Sequence, residues 1–313
     1  MIAAKDCRHR SEACGVGFMR HALSLCFDAC RYPKTAARFW ATCVCLLACL
    51  ARAQAAPLAA PADTIAVDVE LVLAVDISHS MDEKEFALQR AGYVKALRHP
   101  DFINAVRSGV NGRIALAYFE WAGTVRDDAV IAWQVIDDAE SAEVFAGKIE
   151  ARPFRSFRGT SISSALAFGA KLLDGAAFDA TRSVIDISGD GPNNIGMPVA
   201  TTRDAAIAKG IVINGLPILI SPSPSFSHLD QYYAECVTGG PGSFVLPVYA
   251  ASEFVTAIRR KLVLEVSGVT DPNAGPGADP GSVPVDAAAP VDCLQGERGR
   301  RFFSDPYFPE LDR

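Results

Sequence analysis

Between residues 67 and 266 the hydrophobic pattern switches back and forth between two periods. "VDVELVLAVD" (67–76) is a near-continuous apolar run, as expected for a strand buried on both faces. "DEKEFALQRAGYVKALR" (82–98) follows with helical spacing, acids in its first turn and bases in its last. "RIALAYFEWA" (113–122) and "AVIAWQVI" (129–136) flank "GTVRDD" and predict a hairpin. Helices are predicted at "SAEVFAGKIEA" (141–151) and at "SISSALAFGAKLLDG" (161–175), which closes on a glycine cap. "TRSVIDISGDG" (181–191) reads as a second buried strand breaking into a glycine loop. "PVATTRDAAIAKG" (198–210) has a proline start and a glycine stop, so it reads as a helix, and "IVINGLPILI" (211–220) as a strand. "HLDQYYAECV", "SFVLPVY" and "ASEFVTAIRRKLVLEV" extend the series as helix, strand and helix.

That alternation predicts an α/β fold: a doubly wound, mainly parallel sheet with one antiparallel edge strand and helices on both faces. The domain is expected over 67–266. Beyond it, residues 267–291 are rich in Pro, Gly and Ala and poor in large apolar side chains, which predicts a linker. The tail, 292–313, mixes charges with aromatics.

Charge and cysteine divide the chain at a different place. Residues 1–56 carry eight Lys/Arg against three Asp/Glu, a net +5, so the chain's net −6 leaves −11 for the remainder. An acidic body argues against nucleic-acid binding, because nothing offsets phosphate charge. Seven of the nine cysteines also fall in this leader. Within it, "RYPKTAARF" supplies a basic region, "WATCVCLLACLA" an apolar core, and "AQA" (53–55) a small-residue cleavage site. The apolar core is too short to cross a bilayer comfortably. The reading is therefore a secretory signal and an exported, periplasmic or secreted product whose mature chain has no transmembrane span. An N-terminal anchor, or a lipoprotein signal ending at Cys49, stays open. In an oxidising compartment Cys236 and Cys293 are either a disulfide tying the tail to the body or two free thiols.

Three loops carry oxygen donors at the expected ends of strands and starts of helices, where open α/β sheets bind ligands. "DISHS" supplies Asp76, Ser78 and Ser80; "FRGTSISSA" supplies Thr160; "DISGDGPNN" supplies Asp190. Carboxylates and hydroxyls are hard donors suited to Mg²⁺ or Mn²⁺, and neutral hydroxyls leave the ion electrophilic toward an outside carboxylate. Ser80 and Glu83 also read as a capping box for the following helix, a role compatible with metal binding. Arg152, Arg155 and Arg158 stand just before Thr160 and, with Asn193 and Asn194 beside Asp190, are candidates for a ligand rim. The arginine loop also reads as an ordinary solvated loop, and the asparagines as turn formers.

D-x-S-x-S after the first buried strand, a threonine before a later helix and an aspartate in a D-G turn together resemble the metal-ion-dependent adhesion site of von Willebrand factor A domains, over about residues 67–266. The exported start, "SGDGPNN" and the late "GGPG" stretch are similar to uncharacterised bacterial secreted proteins of that kind. The resemblance implies a Rossmann-like fold. It also implies that Asp76, Ser78 and Ser80 bind the metal, that Thr160 binds directly or through water, and that Asp190 acts mainly through water. It implies ligand binding without naming the ligand; the ion's open position leads to the expectation of a protein ligand offering an Asp or Glu carboxylate. "SGDG" departs from the usual "TDG", and Gly189 is expected to add backbone freedom; His79, at a variable position, is expected to point away. The alternative is an envelope scaffold with a purely structural ion.

Enzymatic readings find less support. "GTSISSA" resembles the segment around the nucleophile of subtilisin-like proteases, with Ser161 as candidate. His79 lies too close to Asp76 for that family's order, and His99 and His228 lack supporting motifs. A phosphotransferase of the D-x-D-x-T kind needs an acid where Ser78 stands, and no phosphate-cradling G-x-x-x-x-G-K-[ST] is present.

Overall fold

The computed structural model describes residues 64–81, 83–221, 226, 228–268 and 290–303, with side chains through 299. The expected leader, most of the expected linker and residues 304–313 lie outside them. Five strands form one sheet: β1 (Ile65–Asp76), β2 (Ile114–Trp121), β3 (Val125–Ile136), β4 (Phe178–Gly189) and β5 (Val212–Pro217). Their order is β3-β2-β1-β4-β5. All neighbours run parallel except β2 and β3, whose hairpin places an antiparallel strand at one edge. The architecture is a doubly wound, Rossmann-like α/β fold.

Strand β1 sits at the centre because both its faces are apolar. Leu71 and Leu73 enter one core and Val72 and Ala74 the other, all fully buried. At about 1.5–3 kcal/mol for each large side chain buried, a one-residue slip would exchange two complete sets of contacts, so the register is strongly specified. The first core is closed by α1 (Glu83–Leu97), α2 (Pro100–Arg107), α3 (Ala139–Glu150) and α6 (Phe254–Ser267). Gly92 lets α6 approach α1, since a Cβ there would meet Ile258 at 2.6 Å. The second core lies under α4 (Ile162–Asp174) and α5 (Val199–Ile207).

Several elements differ from the sequence reading. β3 starts at Val125 and β4 at Phe178, earlier than their apolar runs, because edge-ward residues pair without being buried. Helix α2 carries no long apolar pattern, but Pro100 opens it and the His99 side chain accepts a bond from the Asp101 amide as its cap. The helix expected at 228–237 is one turn, Leu229–Tyr232, widening into a π turn over Tyr233–Val237. "SFVLPVY" is not a regular strand: it pairs beside β5 only through isolated bridges at Val245 and Val248. Between them Pro217, which has no amide hydrogen, cannot donate to Leu246, so the ladder is interrupted.

The tail returns to the second core. Cys236 and Cys293 form a disulfide with Cα atoms 5.5 Å apart, and α7 (Gln295–Phe303) follows it. The amide of Val291 donates to Glu235 Oε2 at 2.9 Å. Among the described residues no helix is long and apolar enough to cross a membrane.

Candidate metal centre

The order of the sheet reverses between β1 and β4: the chain moves outward from β1 through β2 to β3 and then returns to pair β4 on the other side. Val75 is in register with Ser188, so Asp76 and Gly189 end the two strands side by side. Two acid-bearing loops therefore leave the sheet from adjacent points, at the crevice where such folds place ligands.

Asp76 is fully buried. Its Oδ1 accepts from the Ser78 amide at 2.7 Å, which folds the loop back over the strand end. Its backbone carbonyl accepts from Gln89 Nε2 of α1 at 3.0 Å. The loop is braced on the other side by Phe157, whose carbonyl accepts from the His79 amide at 2.9 Å. Ser78 and Ser80 hydroxyls are 2.8 Å apart, and Ser80 Oγ donates to Asp190 Oδ1 at 2.7 Å. Residues 110 apart in sequence thus meet at one hydroxyl.

Thr160 is buried and joined to the Asp190 loop by two bonds. Its amide donates to Asn194 Oδ1 at 2.9 Å, and its carbonyl accepts from the Asn194 amide at 2.8 Å. Ser161, the residue weighed as a nucleophile, is the N-cap of α4 and accepts from the Ser164 amide.

The electrostatics follow from crowding acids in a dry place. Burial and then the Asp190 charge push the Asp76 carboxyl well above its usual range, only partly offset by the bonds from Ser78. Burial pushes Asp190 up to about 6, against the lowering effect of the Ser80 bond. Asp76 Oδ2 is buried with no hydrogen-bond partner. Two strained carboxylates, one with a bare buried oxygen, and three neighbouring hydroxyls make an all-oxygen donor set that fits a hard divalent cation. Among the described residues no three His, Cys, Asp or Glu side chains group to hold a metal ion, so an ion here would depend on the serine and threonine hydroxyls as well as the two aspartates.

The rim differs from expectation in several respects. Ser78, His79, Ser80, Arg158, Gly159, Thr160 and Asn194 line one cavity of about 400 Å³. His79 lines the cavity, while its ring Nδ1 lies 3.3 Å from the Oγ of Ser156, a residue that does not line it. Arg155 is tied to Asp128 in an ion pair, and Arg152 pairs with buried Glu120 at 3.0 Å, so neither guanidinium is spare. Asn193 is buried beneath the rim. Its Oδ1 accepts from the Ser163 amide, its Nδ2 donates to Met197 O and Glu297 Oε1, and its own amide donates to the Tyr232 hydroxyl. Ser80 lies three residues before the first helical residue and is engaged with Ser78 and Asp190, so it does not close the capping box. Gly189 supplies clearance: a Cβ there would stand 2.8 Å from both Asp76 Oδ2 and the Tyr233 hydroxyl.

Residues 66–270 match the model of a family described as "Protein of unknown function (DUF1194)". The chain belongs to that family. No curated protein matches it. Solved structures similar to this DUF1194 chain include proximal thread matrix protein 1 from the mussel byssus with a zinc-occupied MIDAS motif, at 16% identity and a TM-score of 0.48 over 66% of this chain and 49% of that one. The pilus adhesin SpaC from Lactobacillus rhamnosus GG in its open conformation matches at 13% identity and 0.46, over 66% and 30%. A von Willebrand factor type A protein from Catenulispora acidiphila matches at 14% and 0.46, over 64% and 43%. The matched region thus spans half or less of each of these proteins, and at such scores none of them says what this chain binds.

Proposed function

We propose that this chain is an exported, divalent-metal-dependent protein-binding module of the von Willebrand factor A type, and not an enzyme. Asp76, Ser78 and Ser80 would hold Mg²⁺ or Mn²⁺, with Thr160 and Asp190 completing the cradle directly or through water. The ion would supply an electrophilic centre for an Asp or Glu carboxylate of a protein ligand. The single observation that carries this reading is the Ser78–Ser80–Asp190 chain of hydroxyl and carboxylate contacts, which joins the first and third loops beside the bare oxygen of Asp76. The acidic body, at −11 beyond the leader, favours a cation and disfavours nucleic acid.

Calorimetric titration of Mg²⁺ into the wild-type chain and Asp76→Ala tests the site. Saturable binding is expected in the wild type and none in the variant. Equal, metal-independent melting temperatures in both would sink the metal site, whereas metal binding with partner capture insensitive to EDTA would leave only a structural ion.

A further inference from the structure

The three arginines before Thr160 are not equivalent. Arg152 is held by Glu120 and by the Asp128 carbonyl, and Arg155 by the Asp128 carboxylate. Arg158 is exposed, and among the described residues it has no carboxylate, carbonyl or ring partner. It nevertheless lines the same cavity as Ser78, Ser80 and Thr160. Its backbone is fixed there: the Arg158 carbonyl lies 2.7 Å from where a Cβ on Gly123 would stand, and Gly159 turns the chain at φ +85° directly into Thr160. An unpaired guanidinium on an acidic body, held beside a cation cradle, offers a planar fork to a second anion.

We propose that Arg158 selects ligands carrying two acidic groups, one carboxylate for the ion and a second for the guanidinium. The partner is an acidic segment of another protein. Asn194, which lines the cavity, is followed in the chain by exposed Ile195 and Met197 (36% and 62%), apolar surface that serves an extended polypeptide better than a small diacid. This inference rests on the metal-dependent reading above.

Blocked peptides provide the probe. A single-Asp peptide in a glycine background is compared with peptides carrying a second Asp one, two or three residues later, by NMR titration of the full chain in Mg²⁺. The tightest two-acid peptide is expected to bind about fivefold more tightly than the single-acid one, the scale of an exposed ion pair. Arg158→Ala should reduce that ratio to one, and Arg158→Lys should keep part of it. Unchanged melting of Arg158→Ala shows that the fold is intact. A wild-type ratio of one, or a ratio that survives Arg158→Ala, overturns the proposal while EDTA-sensitive binding of the single-acid peptide upholds the metal site. Succinate binding as tightly as the best peptide overturns the polypeptide partner. No Mg²⁺-dependent binding of any peptide overturns both this inference and the reading beneath it.

Discussion

Lys261→Met should be among the most damaging single substitutions in the chain. Lys261 lies on α6, 1% exposed, with its Nζ 2.6 Å from Asp186 Oδ1 of β4 and in contact with Glu265 one turn later on its own helix. Burial alone favours the neutral amine, yet the two carboxylates raise Lys261 above its ordinary pKa and keep it charged. At an effective dielectric near 20, a unit pair at that separation attracts by about 6 kcal/mol, but desolvation offsets much of it. Removing one partner of a buried pair costs about 3–5 kcal/mol, mostly because the remaining charge is stranded. Here Asp186 is stranded, and Glu265, which holds a proton below about pH 8, loses its partner as well. A fold of about 5–15 kcal/mol total stability would then be marginal.

The same cluster gives a pH signature. Burial and the Asp186 charge push Glu265 up to about 8, above its unfolded value of 4.5. The folded state therefore holds a proton that the unfolded chain releases, so stability falls as pH rises from about 5 through 8. The limiting slope is about 1.4 kcal/mol per pH unit. Urea melts of the wild type, Lys261→Met and Glu265→Gln between pH 6 and 9 test both points. Glu265→Gln should flatten the alkaline loss. A Lys261→Met cost below about 1 kcal/mol, or an identical slope in Glu265→Gln, would refute the account.

Two further outcomes follow from close contacts. Gly189→Ala should cost about 1–3 kcal/mol by overpacking and should also abolish Mg²⁺ binding, because the added methyl displaces Asp76; calorimetry alongside denaturation separates the two effects. Cys293→Ser opens a bridge between residues 57 apart in sequence, which the chain-entropy relation values at about 4 kcal/mol. Thermal melts with and without reductant should show the wild type falling to the variant's level, and the variant unmoved.

The alternating periods of the sequence made the central strands legible, because β1 and β4 are buried on both faces and their runs are long. Helix α2 was hidden because it is only eight residues long, although Phe102, Ile103 and Val106 share one buried face. "SFVLPVY" misled because its composition is strand-like while its partner strand carries Pro217, which has no amide to donate to Leu246. At the candidate site the oxygen donors could be picked out by residue type and spacing. Their surroundings could not: that Arg155 is tied to Asp128, that Asn193 is buried, and that Gly189 clears space for Asp76 all depend on segments distant in sequence. Asp186 and Lys261 were visible only as charges inside apolar patterns, a cue to burial that does not identify the partner.

The Asn193 side chain has one further consequence. It fastens the loop after β4 to the start of α4 and to Glu297 in the returning tail, and Gly296 packs so closely that a Cβ would fall 2.1 Å from the Asn193 carbonyl. The family match stops at residue 270, yet residues 291–297 return to the domain through a disulfide and two hydrogen bonds. A fragment cut at the family boundary would leave the Cys236 thiol unpaired and take the Glu297 bond from the Asn193 side chain, which would keep Met197 O and the Ser163 amide. In this chain the segment that the family model matches and the segment packed onto the second core end at different places.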